Sequence, residues 1–356
     1  MRQSIYYAER RFYLTMKNKI TIYDIAQTAG VSPATVSRMI HQPNIVTKKT
    51  RDKILEAFSF YQIAPEDLAS KKKNTAVSSP KKAAQETTIL VCIPSWDNPF
   101  YDDILKGIWD YLKQTHYHMI VTQEIPQRGT MNSFLNYCAS LQIAGILMMY
   151  PLSEDVLRQL NAAYPLVQCS EYNPFYKNVP YVSIDDYSIS KVVIAHLISA
   201  GCQRIAFFSS SYDYRYVQNR YRAYRSMLTG NGIAIRPEYV VQVSDFSYKR
   251  ILAAAHHFFK LAEPPDAIFA TSDKHAHALI KAGQSLGFRI PEDVKIFGFD
   301  NTMYSTLSTP TISTVHQPRR ELGIQSATML LSLIQDPRRQ VKPVLLPAKL
   351  VIQEST

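Results

Sequence analysis

The sequence has few of the features that mark secreted, membrane-spanning or disulfide-bonded proteins. Only four cysteines occur among 356 residues, and their scattered spacing favours free thiols in a reducing compartment. No apolar run is long enough to span a membrane. The first 14 residues carry three arginines and no continuous apolar core, which argues against a secretory signal. We therefore expect a cytoplasmic protein without a membrane partner.

Patterns that carry enzyme or metal chemistry are also absent from the sequence. His275 and His277 come nearest to a metal-ligand spacing, and two histidines alone are weak evidence for a metal. There is no phosphate-binding glycine loop and no serine nucleophile elbow. The sequence therefore predicts no metal, no cofactor and no catalytic residue, although an enzyme that acts on sugars stays open as an alternative.

The positive charge is concentrated in the first quarter of the chain. The net charge is +11, and residues 1–85 hold 15 of the 40 basic residues but only 6 of the 29 acidic ones. A basic segment attached to a nearly neutral body indicates a nucleic-acid partner, while a solvated basic tail is the alternative. The length suits a small module joined to a larger, two-lobed one.

Residues 20–61 carry the capping signals and apolar periodicity of three short helices. Thr21 is expected to cap the first helix, which ends at Gly30 because glycine tolerates a left-handed turn. Ser32 followed by proline starts the second helix, and Thr47 caps the third. The residues expected to face the core are Ile22, Ile25, Ala26, Val36, Met39, Ile40, Ile54, Leu55 and Phe58.

Two short helices joined by a glycine-containing turn predict an all-α helix-turn-helix module, whose second helix enters the major groove of DNA. On the outward face of that helix, the small residues Ala34 and Thr35 allow close approach to base edges. Arg38 has the reach and the two donors to bind guanine O6 and N7. An ordinary three-helix bundle stays the alternative.

Residues 21–38, TIYDIAQTAGVSPATVSR, resemble the headpiece of the LacI/GalR family of bacterial repressors. The resemblance implies a homodimer on a palindromic operator in double-stranded DNA; a tetramer, and activation instead of repression, stay open. The phosphate contacts that the resemblance implies are Thr21, Tyr23, Ser32, Ser37, Asn44 and Thr50, and the base contacts are Ala34, Thr35 and Arg38.

The family headpiece is followed by a hinge helix with a leucine that wedges into the minor groove, and this chain departs from that pattern. With Pro65 aligned to the family, the wedge position holds Lys72; with three residues deleted, it holds Leu68. The expected divisions are an N-terminal extension at 1–18, the headpiece at 19–64, a hinge helix and linker at 65–87, and a sensing domain at 88–356.

From Thr88 onward, apolar strands alternate with helices, which predicts an α/β fold with parallel sheets covered on both faces. About 270 residues of this pattern suggest two doubly wound lobes. The order of elements resembles the periplasmic sugar-binding fold that the LacI family shares. That resemblance implies an N-lobe at about 88–184 and 314–342, and a C-lobe at about 185–313 and 343–356.

Ligands of doubly wound sheets bind beyond the carboxyl ends of the strands, between the lobes. Sugars are recognised by charged and amide side chains that bond adjacent hydroxyls and by aromatic faces. By resemblance, Arg220, Asp273 and Asp300 occupy effector-contact positions. The effector-binding residues that we expect are Phe100, Asp185, Arg220, Phe246, Asp273 and Asp300.

The expected effector is a sugar, a sugar phosphate or a sugar acid. The excess of carboxylates among the candidate residues favours a neutral sugar, although Arg220 has the charge to hold an anion. Two other functions stay open: a regulator controlled by a phosphorylated carrier protein, as in one branch of the family, and a transport-type sugar-binding protein.

Overall fold

The computed structural model describes residues 21–61, 63–65, 87–244 and 247–356. The chain divides into two compact units, the headpiece within 1–85 and the sensor unit within 86–356, and each is described by itself. Among the described residues, no helix combines the length and the apolar character that crossing a bilayer requires. The predicted N-terminal extension and the two candidate wedge residues, Leu68 and Lys72, lie outside the described residues.

The described part of the headpiece contains three α-helices where the capping signals predict them. Helix α1 begins after Thr21, whose backbone N–H donates to a carboxylate oxygen of Asp24 at 2.9 Å. The helix ends at Gly30, which has a φ of 65° that a residue with a Cβ adopts only with strain. Ser32 starts the next helix by accepting a hydrogen bond from the backbone N–H of Thr35 at 3.2 Å. The helices are α1 (Ile22–Ala29), α2 (Pro33–His41) and α3 (Lys48–Phe60).

The headpiece has its own small apolar core between these helices. Eight of the nine residues expected to face inward are buried or half-buried. Leu55 is the exception: it is 41% exposed, and Ala57 lies in the core instead. The apolar pattern of α3 does not show which residue at the edge of its apolar face turns toward the core. In the folded headpiece the small side chain of Ala57 is buried there, and Leu55 is exposed. The buried residues are Ile25, Ala26, Ala29, Val36, Met39, Val46, Ile54, Ala57 and Phe58.

Strands and helices alternate along the sensor unit. Its strands are β1 (Thr88–Cys92), β2 (His118–Thr122), β3 (Ile143–Met148), β4 (Leu166–Cys169), β5 (Tyr181–Ile184), β6 (Ile205–Ser209), β7 (Val240–Gln242), β8 (Ala267–Ala270), β9 (Lys295–Phe297), β10 (Thr314–His316), β11 (Val344–Leu346) and β12 (Lys349–Val351). Its helices are α4 (Phe100–Leu112), α5 (Met131–Ser140), α6 (Glu154–Ala163), α7 (Asp186–Ser199), α8 (Arg215–Gly230), α9 (Tyr248–Phe259), α10 (Asp273–Ser285), α11 (Met303–Leu307) and α12 (Arg319–Gln335).

Two parallel sheets organise the sensor unit into two lobes. The sheet of the first lobe has the order β11-β5-β4-β3-β1-β2, and the sheet of the second has the order β7-β6-β8-β9. Neighbouring strands in both sheets run parallel. Helices cover both faces, so alternate residues of one strand enter different cores: Ile89 and Val91 lie in one, Leu90 and Cys92 in the other. This arrangement confirms the predicted doubly wound fold.

The lobe boundaries differ from the expected ones at two short strands. Strand β10 pairs antiparallel with β12, and its residue His316 bridges to Asp300, so 314–316 lies with the second lobe. Strand β11 pairs with β5, so 344–346 belongs to the first lobe. Each of these strands has only three residues, too few to indicate from the sequence which sheet edge it joins, so the structure differs here from the bounds that the resemblance implies.

Helices α4 and α12 cross at unusually short range in the first lobe. A Cβ on Gly107 would lie 2.0 Å from the carbonyl oxygen of Arg320, and one on Gly323 would lie 2.1 Å from that of Ile104. Because neither carbonyl can move without breaking its helix, both positions require glycine. The close crossing fixes α12, whose first residue, Arg319, bonds to both lobes: it donates to the carbonyl oxygens of Pro99 and Asn301.

Candidate nucleic-acid interface and interlobe cleft

The second headpiece helix presents a polar, exposed face opposite its buried one. Val36 and Met39 of α2 are buried, whereas Ala34 and Arg38 are exposed. Tyr23 on α1 is 70% exposed, which is unusual for an aromatic side chain in a small module. This face therefore has the small residues, the cation and the exposed aromatic hydroxyl that base edges and phosphates require.

The remaining headpiece candidates are capping residues or lie outside the described part of the chain. The hydroxyl of Ser32 is bonded to that of Thr35 at 2.8 Å, and the hydroxyl of Thr50 to that of Thr47 at 2.9 Å. Leu68 cannot be placed because it is not among the described residues. The candidates that are exposed are Thr21, Tyr23, Ser32, Ala34, Arg38 and Asn44, and those that are half-buried are Thr35, Ser37 and Thr50.

In the sensor unit, Arg220 of α8 lies buried at the centre of the cleft between the lobes. Its Nε donates to Oδ1 of Asp186 at 2.8 Å, and its Nη1 donates to the carbonyl oxygen of Thr271 at 2.6 Å. The guanidinium lies 3.3 Å from the ring centroid of Phe299 and 4.6 Å from that of Tyr216. These contacts hold the cation in one orientation, since polar groups bind its nitrogens and two aromatic rings pack against it.

Asp300 is the second predicted residue that the structure brings to the cleft. Its Oδ1 accepts a hydrogen bond from the side-chain amide of Gln317 at 2.7 Å and lies 3.9 Å from Nη1 of Arg220. Burial raises its pKa to about 6. Asp300 has a φ of 104°, a strained conformation for a residue with a side chain. Its carboxylate is therefore held in a particular direction at the cost of local strain.

Asp273 does not line the cleft, which corrects the expectation of an effector contact. The side chain is fully buried. Its Oδ2 accepts from the backbone N–H of Thr302 at 2.6 Å, and its Oδ1 accepts from the hydroxyl of Thr314 at 2.6 Å. Burial is the main cause that raises its pKa to about 8, and the nearby Asp300 adds to the rise. Asp273 instead ties α10 to the loop before α11 and to β10.

Asp185 is also displaced from the role that the sequence predicts. It is exposed and caps α7, because its carboxylate accepts from the backbone N–H of Ser188 at 3.0 Å and from its hydroxyl at 2.6 Å. The next residue, Asp186, is buried and forms the ion pair with Arg220. The first residue of a helix and its cap point in different directions, so one step along the chain separates a cleft residue from a capping residue.

Glu171 joins the two lobes. It follows β4 of the first lobe, and its two carboxylate oxygens accept the backbone N–H groups of Arg215 and Tyr216 at 2.8 and 3.1 Å. These groups belong to the first turn of α8, where a helix has N–H groups without intrahelical partners. Desolvation of the buried carboxyl raises its pKa to about 8 although the two N–H donors favour the charged form.

The lobes enclose a cavity of about 40 Å³, which has room for about three water molecules. Phe100 lines it, as predicted for a stacking face; Phe246 lies outside the described residues. Because a sugar ring needs more room, we expect the lobes to separate when a ligand of that size enters. The first lobe contributes Asn98, Phe100, Tyr101, Ser170 and Glu171 to the lining, and the remaining lining residues are Ser210, Tyr216, Arg220, Ile251, Thr271, Ser272, Lys274, His275, Asp300 and Gln317.

Within the described part of the chain, no group of three or more His, Cys, Asp or Glu side chains is placed to hold a metal ion. The cleft instead combines hydrogen-bonding groups with aromatic faces, an arrangement suited to binding a polar ring-shaped molecule.

Comparison with known families agrees with both units. The model of the lacI family of bacterial regulatory proteins matches residues 21–61, which are the helix-turn-helix headpiece. The chain belongs to the LacI family. A second model, the periplasmic binding protein-like domain, matches residues 194–356.

Relatives of this LacI-family regulator match along nearly the whole chain. Catabolite control protein A of Priestia megaterium is 28% identical over 95% of this chain and 99% of its own length. The HTH-type transcriptional repressor CytR of Escherichia coli (strain K12) is 27% identical over 94% of this chain and 96% of its own. An uncharacterized protein from Actinobacillus succinogenes, known from its crystal structure, is 31% identical in sequence to this chain. The match covers 76% of this chain and 99% of that chain, with a TM-score of 0.70. The protein is accordingly a DNA-binding transcription regulator with a two-lobed sensor unit.

Sequence reasoning missed several cleft residues of this LacI-family regulator. Glu171 follows a strand, but many polar residues do so, and its bond to another lobe is visible only in three dimensions. The sequence offers His275 and His277 only as weak evidence for a metal site. In the structure the two have different surroundings: His275 lines the cavity, whereas His277 bonds to Ser308. Residues two positions apart on a helix point in different directions, so the spacing of His275 and His277 already indicated that they do not share a site.

Proposed function

We propose that this protein is a repressor that binds a palindromic operator as a homodimer and changes its affinity for DNA when a small polyhydroxyl compound occupies the cleft. The observation that carries the proposal is the two-faced α2 helix, with Val36 and Met39 buried beneath an exposed Ala34 and Arg38. A helix with this arrangement presents its first turns to the major groove.

Charge supports binding to DNA, and a relative supports repression. The first 85 residues supply most of the net charge of +11, as a phosphate-binding module requires. The relative CytR is named a transcriptional repressor. As an operator-binding protein it would act where bacterial DNA is, in the cytoplasm. We assign no catalytic step to the cleft, since the relatives named above are regulators.

A neutral effector is favoured over an anionic one. Both Nε and Nη2 of Arg220 are bonded to Asp186, so an anionic ligand would have to displace a buried carboxylate to reach them. The side chains of Asp300 and Gln317 offer an acceptor and a donor near one another, as adjacent hydroxyls require. Phe100 and Tyr216 offer aromatic surfaces to the C–H face of a ring. Ligand and DNA affinity are coupled only if the ligand prefers one arrangement of the lobes.

The proposal is tested first on DNA. An operator selected from a randomised palindrome should bind the purified protein, and Arg38→Ala should weaken that binding by about one to two decades while changing non-specific binding little, since a bidentate contact to guanine contributes roughly 1–3 kcal/mol. Arg158→Ala, on an exposed surface of the sensor unit, is the matched control. An equal loss for Arg38→Ala on operator and random DNA would mean that Arg38 contacts the backbone alone.

The effector is tested on the same operator. Operator affinity is measured with and without each of D-ribose, D-glucose, D-galactose, D-fructose and cellobiose, in wild type and in Asp300→Asn. We expect one of these sugars to change the affinity in wild type and to lose that effect in the variant. If no sugar changes the affinity and a phosphorylated carrier protein does, the carrier protein controls the regulator and the cleft is not its effector site.

A further inference from the structure

His275 is a buried polar side chain with one ring nitrogen that has no partner. The residue lies in the first turn of α10, is 2% exposed, and lines the interlobe cavity. Its Nδ1 is bonded to the hydroxyl of Ser272 at 2.6 Å, whereas Nε2 has no hydrogen-bond partner. The ring packs edge-on against Phe208, with centroids 4.9 Å apart. These two contacts fix the ring of a residue that lines the cavity and leave its Nε2 buried without a partner.

A second buried, unpartnered polar atom belongs to another residue that lines the same cavity. Thr271 precedes α10 by two residues, is 1% exposed, and its hydroxyl oxygen has no hydrogen-bond partner. The carbonyl oxygen of Thr271 accepts from Nη1 of Arg220, so the residue is held beside the guanidinium. Buried polar atoms are nearly always hydrogen-bonded in folded proteins, and exceptions cluster where a ligand or water completes the set. Two such atoms at one cavity indicate that a molecule supplies their partners.

The hydroxyl of Ser272 pairs with either neutral tautomer of His275. Its oxygen accepts from the backbone N–H of His275 at 3.3 Å, as the cap of α10, and keeps a second lone pair. In the contact with Nδ1 at 2.6 Å, either the hydroxyl donates and the ring proton is on Nε2, or Nδ1–H donates and Nε2 is an acceptor. Burial keeps the ring neutral, because desolvation lowers its pKa to about 3. A hydroxyl group of a ligand both donates and accepts, so it pairs with Nε2 in either tautomer.

We propose that His275 determines effector specificity: its Nε2 forms a hydrogen bond with one hydroxyl of a neutral, monosaccharide-sized polyhydroxyl ligand, and the hydroxyl of Thr271 bonds to a second oxygen of that ligand. The inference rests on the proposed effector cleft and extends it to two residues that line it. Discrimination is sharp at such a site, because a ligand that lacks the matching hydroxyl leaves a buried nitrogen unpaired. Binding also requires that the lobes separate and reclose, since a monosaccharide needs more room than the cavity of about 40 Å³ provides.

The test compares five variants of the full-length protein. His275→Phe keeps the ring and its edge contact with Phe208 but removes both nitrogens. His275→Gln places an amide N–H near the position of Nε2 and serves as the conservative rescue. Thr271→Val removes only the hydroxyl. His277→Phe is the matched control, because His277 lies on the same helix, bonds to Ser308, and is not part of the cavity lining. Arg220→Ala serves as the reference for loss of the whole site.

Affinity is measured by titration calorimetry with D-ribose, D-glucose, D-galactose, D-fructose and cellobiose, each used alone, and unfolding curves confirm that each variant is folded. We expect at least one monosaccharide to bind wild type, to bind His275→Phe and Thr271→Val about tenfold or more weakly, and to bind His275→Gln and His277→Phe nearly as wild type does. If a sugar binds His275→Phe as tightly as wild type but is lost in Arg220→Ala, the cleft function stands and the role of His275 is wrong. If the five sugars bind no better to wild type than to Arg220→Ala, the polyhydroxyl class is wrong and the inference fails with it.

Discussion

Arg220 and Asp186 form a buried ion pair in which Nε and Nη2 of the guanidinium approach the same carboxylate oxygen, at 2.8 and 2.7 Å. Asp186 is the first residue of α7, and Arg220 lies in α8, so the pair sets the packing of two helices of the second lobe. Desolvation raises the pKa of Asp186, and the adjacent guanidinium opposes that rise. The pair therefore holds both the helix contact and the orientation of the cation at the cleft.

Removal of Asp186 should destabilise the sensor unit far more than removal of its neighbour. Asp186→Ala leaves the Arg220 charge buried without its main partner, which costs roughly 3–5 kcal/mol. Asp185→Ala removes an exposed helix cap and should cost about 0.5–2 kcal/mol. Urea unfolding of the two variants measures the difference. Equal losses would show that the two carboxylates share the capping role and that the ion pair contributes little.

These neighbouring aspartates also show how far the sequence predicts the site. Periodicity and caps predicted the three headpiece helices and the alternation of strands and helices in the sensor unit, because an apolar face and a capping residue are local signals. The sequence predicts Asp185 as a cleft residue, whereas the structure places Asp186 there, because the direction of a side chain at a helix start depends on the turn of the backbone, which residue types alone do not fix. Asp273 was misassigned for a different reason: its partners, Thr302 and Thr314, lie about 30 and 40 residues away and meet it only in the folded lobe.

The contact of Glu171 with α8 should protect the start of that helix from exchange. Glu171→Gln keeps the size of the side chain but leaves a single acceptor oxygen for the N–H groups of Arg215 and Tyr216. We expect amide hydrogen exchange at these two residues to accelerate by about tenfold, since a helix cap contributes about 1 kcal/mol. Glu124→Gln, an exposed glutamate of the same lobe, is the control. Unchanged exchange at Arg215 and Tyr216 would show that the lobes are held together by other contacts.

Acid should destabilise the sensor unit partly through His275. Its pKa is about 3 in the folded protein, against about 6.5 in the unfolded chain. Below pH 6.5 the unfolded chain takes up a proton that the folded state does not, so stability is lost as the pH falls from about 6.5 toward 3. Both His275→Phe and His275→Gln remove the titration. We expect the free energy of unfolding of wild type to fall by about 1.4 kcal/mol per pH unit more steeply than that of either variant.

The variants also isolate this effect from the buried carboxyl groups, which act in the opposite direction. Glu171 and Asp273 have pKa values raised to about 8, so each contributes stability at low pH that is lost as the pH rises toward 8. Those contributions are the same in wild type and in the His275 variants and cancel in the comparison. Parallel pH profiles from pH 7 to 5 would mean that His275 is protonated in the folded state as readily as in the unfolded one.

Operator binding should weaken steeply with salt, because the basic residues are concentrated in the DNA-binding part of the chain. A dimer that neutralises about six to ten phosphates loses roughly three to five decades of affinity between about 50 and 200 mM salt. Lys48 is exposed in the first turn of α3, next to the candidate phosphate contact Thr50. If it binds a phosphate, Lys48→Ala removes about two contacts per dimer and lowers the logarithmic slope by about 1.8, whereas Lys106→Ala on the sensor surface leaves the slope unchanged. Fluorescence anisotropy on the selected operator at several salt concentrations measures both slopes, and a flat response in wild type would contradict an electrostatic interface.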